Sequence, residues 1–370
     1  MGSLTRPKVG AAIIARNEEK LLPGCLESLR DVVDDVVVVD TGSSDGTQAI
    51  ASSFGARLFV RAWDGDFAAA RNRALDEVDA DWILYIDADE RVKTPSNLPI
   101  GSFLDSRTSA GAYVRFRPKL GYTCYNEPRL FVNDRQIRFK GRIHESHLPD
   151  LYAFAAQRDL SIAKTPVLIE HLGYEGDQSH KHARNLPLLQ KEVAENPARP
   201  YCWHHLAETL ASLERKCEAI EACRCGLQIP IDSRLPKTAS DRRQLAKTYA
   251  RLLLEAGEDA EPVLASLLLE APKDWSILYL KARFDLSKGD HASALAIADR
   301  LRSVDPESLE EELVAYDKRL FGDLAWDLAA AAHVCAGAYR EAELAYRRAA
   351  ELAPNVVAYR AKAAALSLPR

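Results

Sequence analysis

Nothing in this chain approaches the ~18 consecutive apolar residues of a membrane-spanning helix. Its opening, MGSLTRPKVG, has no apolar signal-peptide core. Positive charge is not in excess: the 370 residues carry a net charge of −5, which removes the electrostatic basis for nucleic acid or an anionic membrane as partner. The seven cysteines form no Cys-x-x-Cys pair, and Cys217, Cys223 and Cys225 are spaced for helix packing, not zinc. Reduced thiols and a cytoplasmic location are expected. No Gly-x-Gly-x-x-Gly opens the first helix and there is no P-loop, so dinucleotide-dependent oxidation and kinase chemistry lose their main support. His144-Glu145-Ser146-His147 has its second histidine one place too early for a zinc-protease motif.

At this length two domains are expected, and the first half reads as alternating strands and helices. Val9–Ala15 is a short apolar run, followed by Asn17 as an N-cap for a helix from Glu18 to Leu29. Val36–Asp40, four valines and an acid, is the clearest strand. Asp45 with Gln48 has capping-box spacing for a helix running through Ser53. Arg57–Val60 is a third strand, Asp66–Val78 a helix, and Trp82–Ile86 a strand buried on both faces. This alternation predicts a doubly wound, mostly parallel α/β sheet, whose ligands bind outside the carboxyl ends of the strands. Asn17, Asp40, Asp45, Asp87 and Asp89 then line one crevice. Asp87-Ala88-Asp89 closes the Trp82 strand with two carboxylates. Such a pair is costly unless a cation neutralises it, and a hard divalent ion shared with substrate phosphates is the usual partner. A solvated turn or helix cap is the plain alternative.

Asn17-Glu18-Glu19 after the first strand, VVVVDTGSSDGT at the second, AAARNRAL before the fourth and DADE at its end together resemble the family 2 glycosyltransferases of GT-A fold. The resemblance spans about Val9–Val92. It implies a nucleotide-sugar donor and a divalent cation, Mg²⁺ or Mn²⁺. It implies nucleotide contacts from Ala15, Asn17, Glu18, Asp40, Ser43, Asp45, Arg71, Asp87 and Ala88, with Asp40 on the base. It implies metal ligation by Asp87, Asp89 and a late histidine, His171, which otherwise reads as a hydrogen-bonded structural residue.

Beyond this, Gly111–Arg117 reads as a half-exposed strand, Arg129–Val132 and Ile137–Lys140 as short strands joined at Asn133-Asp134, and Val167–His171 as a last strand followed by Gly173-Tyr174. Glu127-Pro128-Arg129-Leu130-Phe131 and His144-Glu145 are similar to acceptor-side elements of the same family. An inverting transfer needs one general base. Glu145 is the first candidate, with Glu127 and His144 as alternatives; an ion pair from Glu145 to Arg129 or Arg142 is the structural reading.

From Ser179 the composition turns to alanine and leucine. The expected division is 1–178 for the GT-A-type domain, 179–199 for a linking helix (Lys181–Glu195) and 200–370 for an all-α repeat array. There the ~34-residue period of tetratricopeptide (TPR) repeats recurs. Trp326, Ala330, Ala342, Tyr346, Ala349 and Pro354 mark one copy; Leu278, Ala282, Ala294, Ala298 and Pro306 a second; Trp203, Ala207, Ala219 and Cys223 a third. Ala260, Leu264, Leu267 and Pro272 give a weaker fourth, and Glu307–Gly322 is an insertion. The layout resembles sublancin-type peptide S-glycosyltransferases, which modify a bacteriocin. It implies a peptide or protein acceptor read by the array, or a homodimer made through it. A cell-envelope glycan acceptor and a non-catalytic TPR adaptor are the competing readings; intact Asp40, Asp87 and Asp89 disfavour the adaptor.

Overall fold

A computed structural model of the chain describes residues 6–172, 179–230, 236–309 and 314–367. It comprises two compact units: one holds most of the chain up to Glu195, the other runs from Asn196 and includes Gly121–Thr123.

The first unit is built on one eight-stranded sheet. Its elements are β1 (Val9–Ala15), α1 (Leu22–Leu29), β2 (Asp35–Asp40), α2 (Thr47–Ser53), β3 (Arg57–Val60), α3 (Phe67–Glu77), β4 (Trp82–Tyr85), β5 (Glu90–Lys93), β6 (Ser109–Arg117), β7 (Tyr125–Val132), α4 (Leu148–Gln157), β8 (Ser161–His171) and α5 (Ser179–Glu195). The strand order is β3-β2-β1-β4-β7-β6-β8-β5, with β3, β2, β1 and β4 parallel and β7 antiparallel to β4. β8 runs parallel to β6 and antiparallel to β5. The expected parallel half is therefore present, and the acceptor-side half is mixed. Val37, Val38, Val39, Trp82, Ile83 and Leu84 are wholly or almost wholly buried. Burial at about 1.5–3 kcal/mol per large apolar side chain makes these strands the anchor of the unit.

Several local expectations change. α1 begins at Leu22 rather than Glu18, because Asn17 takes a left-handed backbone (φ 57°) and spends its side chain on the next loop, accepting from Ser44 N at 2.8 Å. Asp45 and Gln48 form no capping box: Asp45 accepts from Thr47 N at 3.0 Å, and Gln48 donates to Asp40 at 2.8 Å. β6 alternates as expected from Ala112 to Arg117, with Ala112, Val114 and Phe116 buried and Tyr113, Arg115 and Arg117 partly or fully exposed, while its first three residues are buried throughout. Residues 137–140 form no strand. Asn72 on α3 makes both hydrogen bonds to the Phe139 backbone, at 2.9 Å each, which a neighbouring strand would otherwise supply. Gly173 and Tyr174 lie outside the described residues.

The second unit is helical: α6 (Pro200–Ser212), α7 (Lys216–Gln228), α8 (Pro236–Ala256), α9 (Glu261–Glu270), α10 (Trp275–Ser287), α11 (His291–Arg302), α12 (Asp323–Cys335), α13 (Tyr339–Leu352) and α14 (Val357–Leu366). Consecutive helices pack in pairs, and the small residues expected at repeat positions are their contacts: Ala207, Ala219, Cys223, Ala282, Ala294, Ala298, Ala330, Ala342 and Ala349 are all fully buried. Gly226 marks the closest approach, since a Cβ there would sit 2.6 Å from the Trp203 side chain. Two short 3₁₀ turns, Pro306–Ser308 and Lys318–Phe321, occupy described parts of the expected insertion.

Candidate active site

The parallel register sets Ala15 beside Asp40 and Ala12 beside Tyr85, so the ends of β2, β1 and β4 open side by side. The loops after β1 and β2 are tied by hydrogen bonds from Asn17 N to Ser43 Oγ (2.8 Å), Glu18 N to Thr47 Oγ1 (2.8 Å), Glu19 N to Asp45 Oδ2 (3.2 Å) and Gly46 N to Glu19 Oε2 (3.0 Å). These contacts explain why small hydroxyl and acidic residues crowd both loops: each satisfies a backbone donor that no strand or helix uses. The bond from Thr47 Oγ1 holds the Asp45 carboxyl below its usual pKa, with the backbone of Thr47 and Glu19 assisting.

Asp40 is fully buried. One oxygen accepts from Gly42 N, Ser43 N and Gln48 Nε2 at 3.0, 2.9 and 2.8 Å, while Oδ2 has no hydrogen-bond partner. Burial opposes the charge, but the Ser43 side chain and backbone, with Gln48 and the Gly42 backbone, outweigh it and hold the carboxyl below its usual value. An ionised, buried oxygen without a donor is costly unless a ligand supplies one.

At the end of β4 the side chains form a charged cluster. Arg71 Nε donates to Glu145 at 2.8 Å and its Nη2 to Asp87 at 2.6 Å. Arg129 Nη2 donates to Glu90 at 3.0 Å, and its Nε lies 3.3 Å from Glu127. Glu90 in turn accepts from Asp87 N at 2.9 Å, fixing the turn that carries Asp87 and Asp89. The two guanidiniums flank the Tyr85 ring, 5.3 and 4.5 Å from its centroid, which suits cations held out of water. Four carboxylates against two guanidiniums leave surplus negative charge. Burial pushes Glu90 up to about 7, with Asp87 adding to the rise and Arg129 opposing it. Burial also raises Asp87, but Arg71 and Arg129 reverse that and hold it low.

Asp89 faces the other way. Its Oδ2 is 3.1 Å from His171 Nε2, and His171 Nδ1 is 3.0 Å from the Pro118 carbonyl. Nδ1 must donate to that carbonyl, so a neutral ring turns the Nε2 lone pair toward a carboxylate. Either a proton or a cation reconciles the two. Burial disfavours the imidazolium, yet the hydrogen bond and charge of Asp89 raise the His171 pKa. Among the described residues no three His, Cys, Asp or Glu side chains are grouped to hold a metal by themselves. The pair of Asp89 and His171 nonetheless fits an ion that completes its shell with phosphate and water oxygens, as Mg²⁺ and Mn²⁺ do.

Asp87 is thus turned to Arg71, and the partner of Glu145 is Arg71 instead of Arg129 or Arg142. His144 takes a left-handed backbone (φ 51°) in the loop after Phe139. Ala15 gives its carbonyl to Thr41 N at 2.9 Å, and Ala88 gives its own to Arg91 at 3.2 Å. Glu90, Arg129 and Gln48 are the residues that local pattern alone did not single out: Glu90 sits inside the DADE run, but its partner is thirty-nine positions away.

Beneath the cluster, His147 packs against Phe131, Phe139 and Tyr85 with ring centroids at 4.6, 4.9 and 5.0 Å, and its buried Nε2 has no hydrogen-bond partner. Burial, with Arg129 and Arg71 adding repulsion, pushes its pKa down to about 3. The folded value lies below the unfolded one, so stability is complete above about pH 6.5 and is lost as the pH falls toward 3. At pH 5 the loss is roughly 2 kcal/mol. We expect His147→Phe to reduce the difference in urea midpoint between pH 7 and pH 5; an unchanged difference would show that His147 is not the acid-sensitive group.

Residues 11–119 match the family model described as Glycosyl transferase family 2. A TPR repeat-containing protein of Synechococcus elongatus is 37% identical over 202 residues, covering 52% of this chain and 50% of that protein. The SPbeta prophage-derived glycosyltransferase SunS of Bacillus subtilis is 24% identical over 226 residues, 58% of this chain and 52% of that one. The chain therefore spans about half the length of these curated relatives. Among solved structures, S. aureus TarS 1-349 in complex with UDP is 15% identical, covers 72% of this chain and 92% of that one, and has a TM-score of 0.39. Residues 11–119 are a glycosyl transferase family 2 domain, and a helical region of TPR-like repeats follows it in the chain.

Proposed function

We propose that the chain is a metal-dependent inverting glycosyltransferase that moves a hexosyl or N-acetylhexosaminyl group from a UDP-sugar to a Cys, Ser or Thr side chain of a peptide or protein. The observation that supports this reading is the buried Asp40 at the end of β2, whose Oδ2 has no hydrogen-bond partner, with β1 alone separating β2 from β4 and the Asp87-Ala88-Asp89 turn that follows it. Asp40 accepts a base N–H there, and Asn17, Glu18, Ser43 and Asp45 keep the loops around the nucleoside in place. Asp89 and His171 hold the divalent ion, which when bound stabilises the charge developing on the departing diphosphate.

Arg71 clamps Asp87 and Glu145 at once, so these two carboxylates position the nucleotide side of the crevice. Glu127 is the better proton acceptor: its side chain is 23% exposed against 10% for Glu145. It takes the acceptor hydroxyl proton as the oxygen attacks the anomeric carbon and the bond to the diphosphate breaks. The similarity to the glycosyltransferase SunS supports this enzyme class, and the TPR-like helices supply a surface for a peptide acceptor or for a second copy.

The test is a panel of UDP- and GDP-sugars incubated with the intact protein, alone and with Cys-, Ser- and Thr-containing peptides, read by mass spectrometry. Slow donor hydrolysis with one UDP-sugar and transfer to a peptide are expected. Transfer only to a lipopolysaccharide or exopolysaccharide fragment would move the acceptor to a glycan. No turnover of any donor would leave the adaptor reading.

A further inference from the structure

We propose that Arg91 is the positioning residue of the ion-binding turn, its guanidinium fixing the backbone on either side of Asp89, an inference that rests on the reading of Asp89 and His171 as ion ligands. Three acids fall within four positions here: Asp87, Asp89 and Glu90. Two of them have a guanidinium as partner, Asp87 from Arg71 at 2.6 Å and Glu90 from Arg129 at 3.0 Å. Among the described residues no arginine or lysine pairs with Asp89, whose carboxylate meets His171 instead. The direction of that carboxylate is therefore set by the backbone that carries it.

Arg91 grips this backbone. Its Nη1 donates to the Ala88 carbonyl at 3.2 Å and to the Glu90 carbonyl at 2.8 Å, the residues immediately before and after Asp89. Its Nη2 donates to the carbonyl of Leu21, which precedes α1, at 2.9 Å. One partly buried guanidinium thus ties the turn to that helix. The helix is shaped to receive it. Gly24 lies inside α1 with no left-handed backbone to call for glycine, and glycine weakens a helix interior. What it supplies is space: a Cβ there would stand 2.5, 2.6 and 2.8 Å from Nη2, Nε and Cζ of Arg91. Cys25 Sγ donates to the Asp87 carbonyl at 3.4 Å and Ser28 Oγ accepts from Val92 N at 3.1 Å, so α1 meets the chain on both sides of Arg91.

A guanidinium suits this task because its donors lie in a fixed fork, so a single side chain reaches the carbonyls of three residues. The Asp89 carbonyl accepts from Leu172 N at 2.9 Å, and Glu90 pairs with His171 across β5 and β8, which keeps the second ligand in register. Held in this way, Asp89 is presented beside His171 although Asp87 and Glu90 repel it, and the turn needs no rearrangement to take a cation. Groups that orient a metal ligand set the affinity for the metal without touching it.

The experiment is calorimetric titration with UDP, in EDTA and over a series of Mn²⁺ concentrations, of the intact wild type, Arg91→Met, Arg91→Lys, Gly24→Ala and the double variant Gly24→Ala/Arg91→Met, with thermal midpoints recorded for each. The readout is the Mn²⁺ concentration that gives half of the metal's effect on UDP affinity. Arg91→Met should raise it about tenfold or more, the scale for a lost partner of a metal ligand, while UDP affinity in EDTA holds. Arg91→Lys should recover part of the loss. Gly24→Ala should raise it as well, and the double variant should be little worse than Arg91→Met, because the guanidinium that the methyl group displaces is already gone. Wild-type Mn²⁺ dependence in Arg91→Met, additive losses in the double variant, or UDP binding in EDTA that falls as far as binding in Mn²⁺ would overturn the proposal and leave the ion reading standing. Should Arg91→Met not fold, Arg91→Lys decides: wild-type Mn²⁺ dependence there would overturn it. A wild type whose UDP affinity ignores Mn²⁺ would remove the ion reading and the proposal together.

Discussion

Replacing Asp89 with alanine is expected to bring sugar transfer to background while the protein stays folded. The residue sits in the turn between β4 and β5, where Asp87 and Glu90 already crowd negative charge. Its backbone carbonyl accepts from Leu172 N at 2.9 Å, a bond that alanine keeps, so the junction with β8 survives. What is lost is the carboxylate 3.1 Å from His171. That hydrogen bond contributes on the order of 1 kcal/mol, and relief of repulsion among neighbouring carboxylates works in the opposite direction. The thermal midpoint should therefore move by only a few degrees. Affinity for UDP in Mn²⁺ should collapse, with transfer falling by about 10³-fold or more, as expected when a metal and its charge stabilisation are removed together. Wild-type turnover by Asp89→Ala would reject the assignment of the ion to this turn.

The second large effect belongs to the proton acceptor. Glu127→Gln preserves size and the capacity to accept from Tyr125 Oη, now at 3.1 Å, but abolishes basicity. Turnover with a serine peptide should fall by roughly 10²–10⁴-fold, the range for a lost general base, with donor affinity little changed. Glu145→Gln should behave differently. It weakens the 2.8 Å bond to Arg71, which also grips Asp87 at 2.6 Å, so the donor KM should rise more than kcat falls. A cysteine peptide adds a further check. A thiol near pKa 8.5 is already partly ionised at neutral pH and needs less help, so the Glu127→Gln defect should be smaller with cysteine and should shrink as the pH rises. Were Glu145→Gln to lose kcat while Glu127→Gln kept it, the two carboxylates would exchange roles.

The difference between these two glutamates also measures how far local sequence carries. Valine-rich β2, helical α3 and apolar β4 were readable because each is specified by its own residues, although Asp66, read as part of α3, proves to be its cap, accepting from Ala69 N at 2.9 Å. The expectation that Asp40, Asp87 and Asp89 lie toward one end of the sheet followed from the rule that parallel strands gather ligands at their carboxyl ends, and the register sets the ends of β2, β1 and β4 side by side. Partnerships across the sheet were not readable. Glu145 meets Arg71 seventy-four residues away, and Arg129 meets Glu90 only because β7 pairs antiparallel with β4 while β5 crosses to the far edge of the sheet beside β8. The late start of α1 has the same origin: Asn17, Glu18 and Glu19 look like a helix opening, but the loop after β2 claims their polar groups. In the helical unit, small residues at repeat positions were legible because packing is local and periodic.

The most direct test of the central claim is a calorimetric titration of the intact wild-type protein with UDP, first in Mn²⁺ and then after EDTA, repeated with Asp40→Asn. The account predicts one UDP site per chain in Mn²⁺, a sharp loss of affinity in EDTA, and weaker UDP binding for Asp40→Asn with or without metal. No UDP binding under any condition, or binding indifferent to both EDTA and Asp40→Asn, would contradict it.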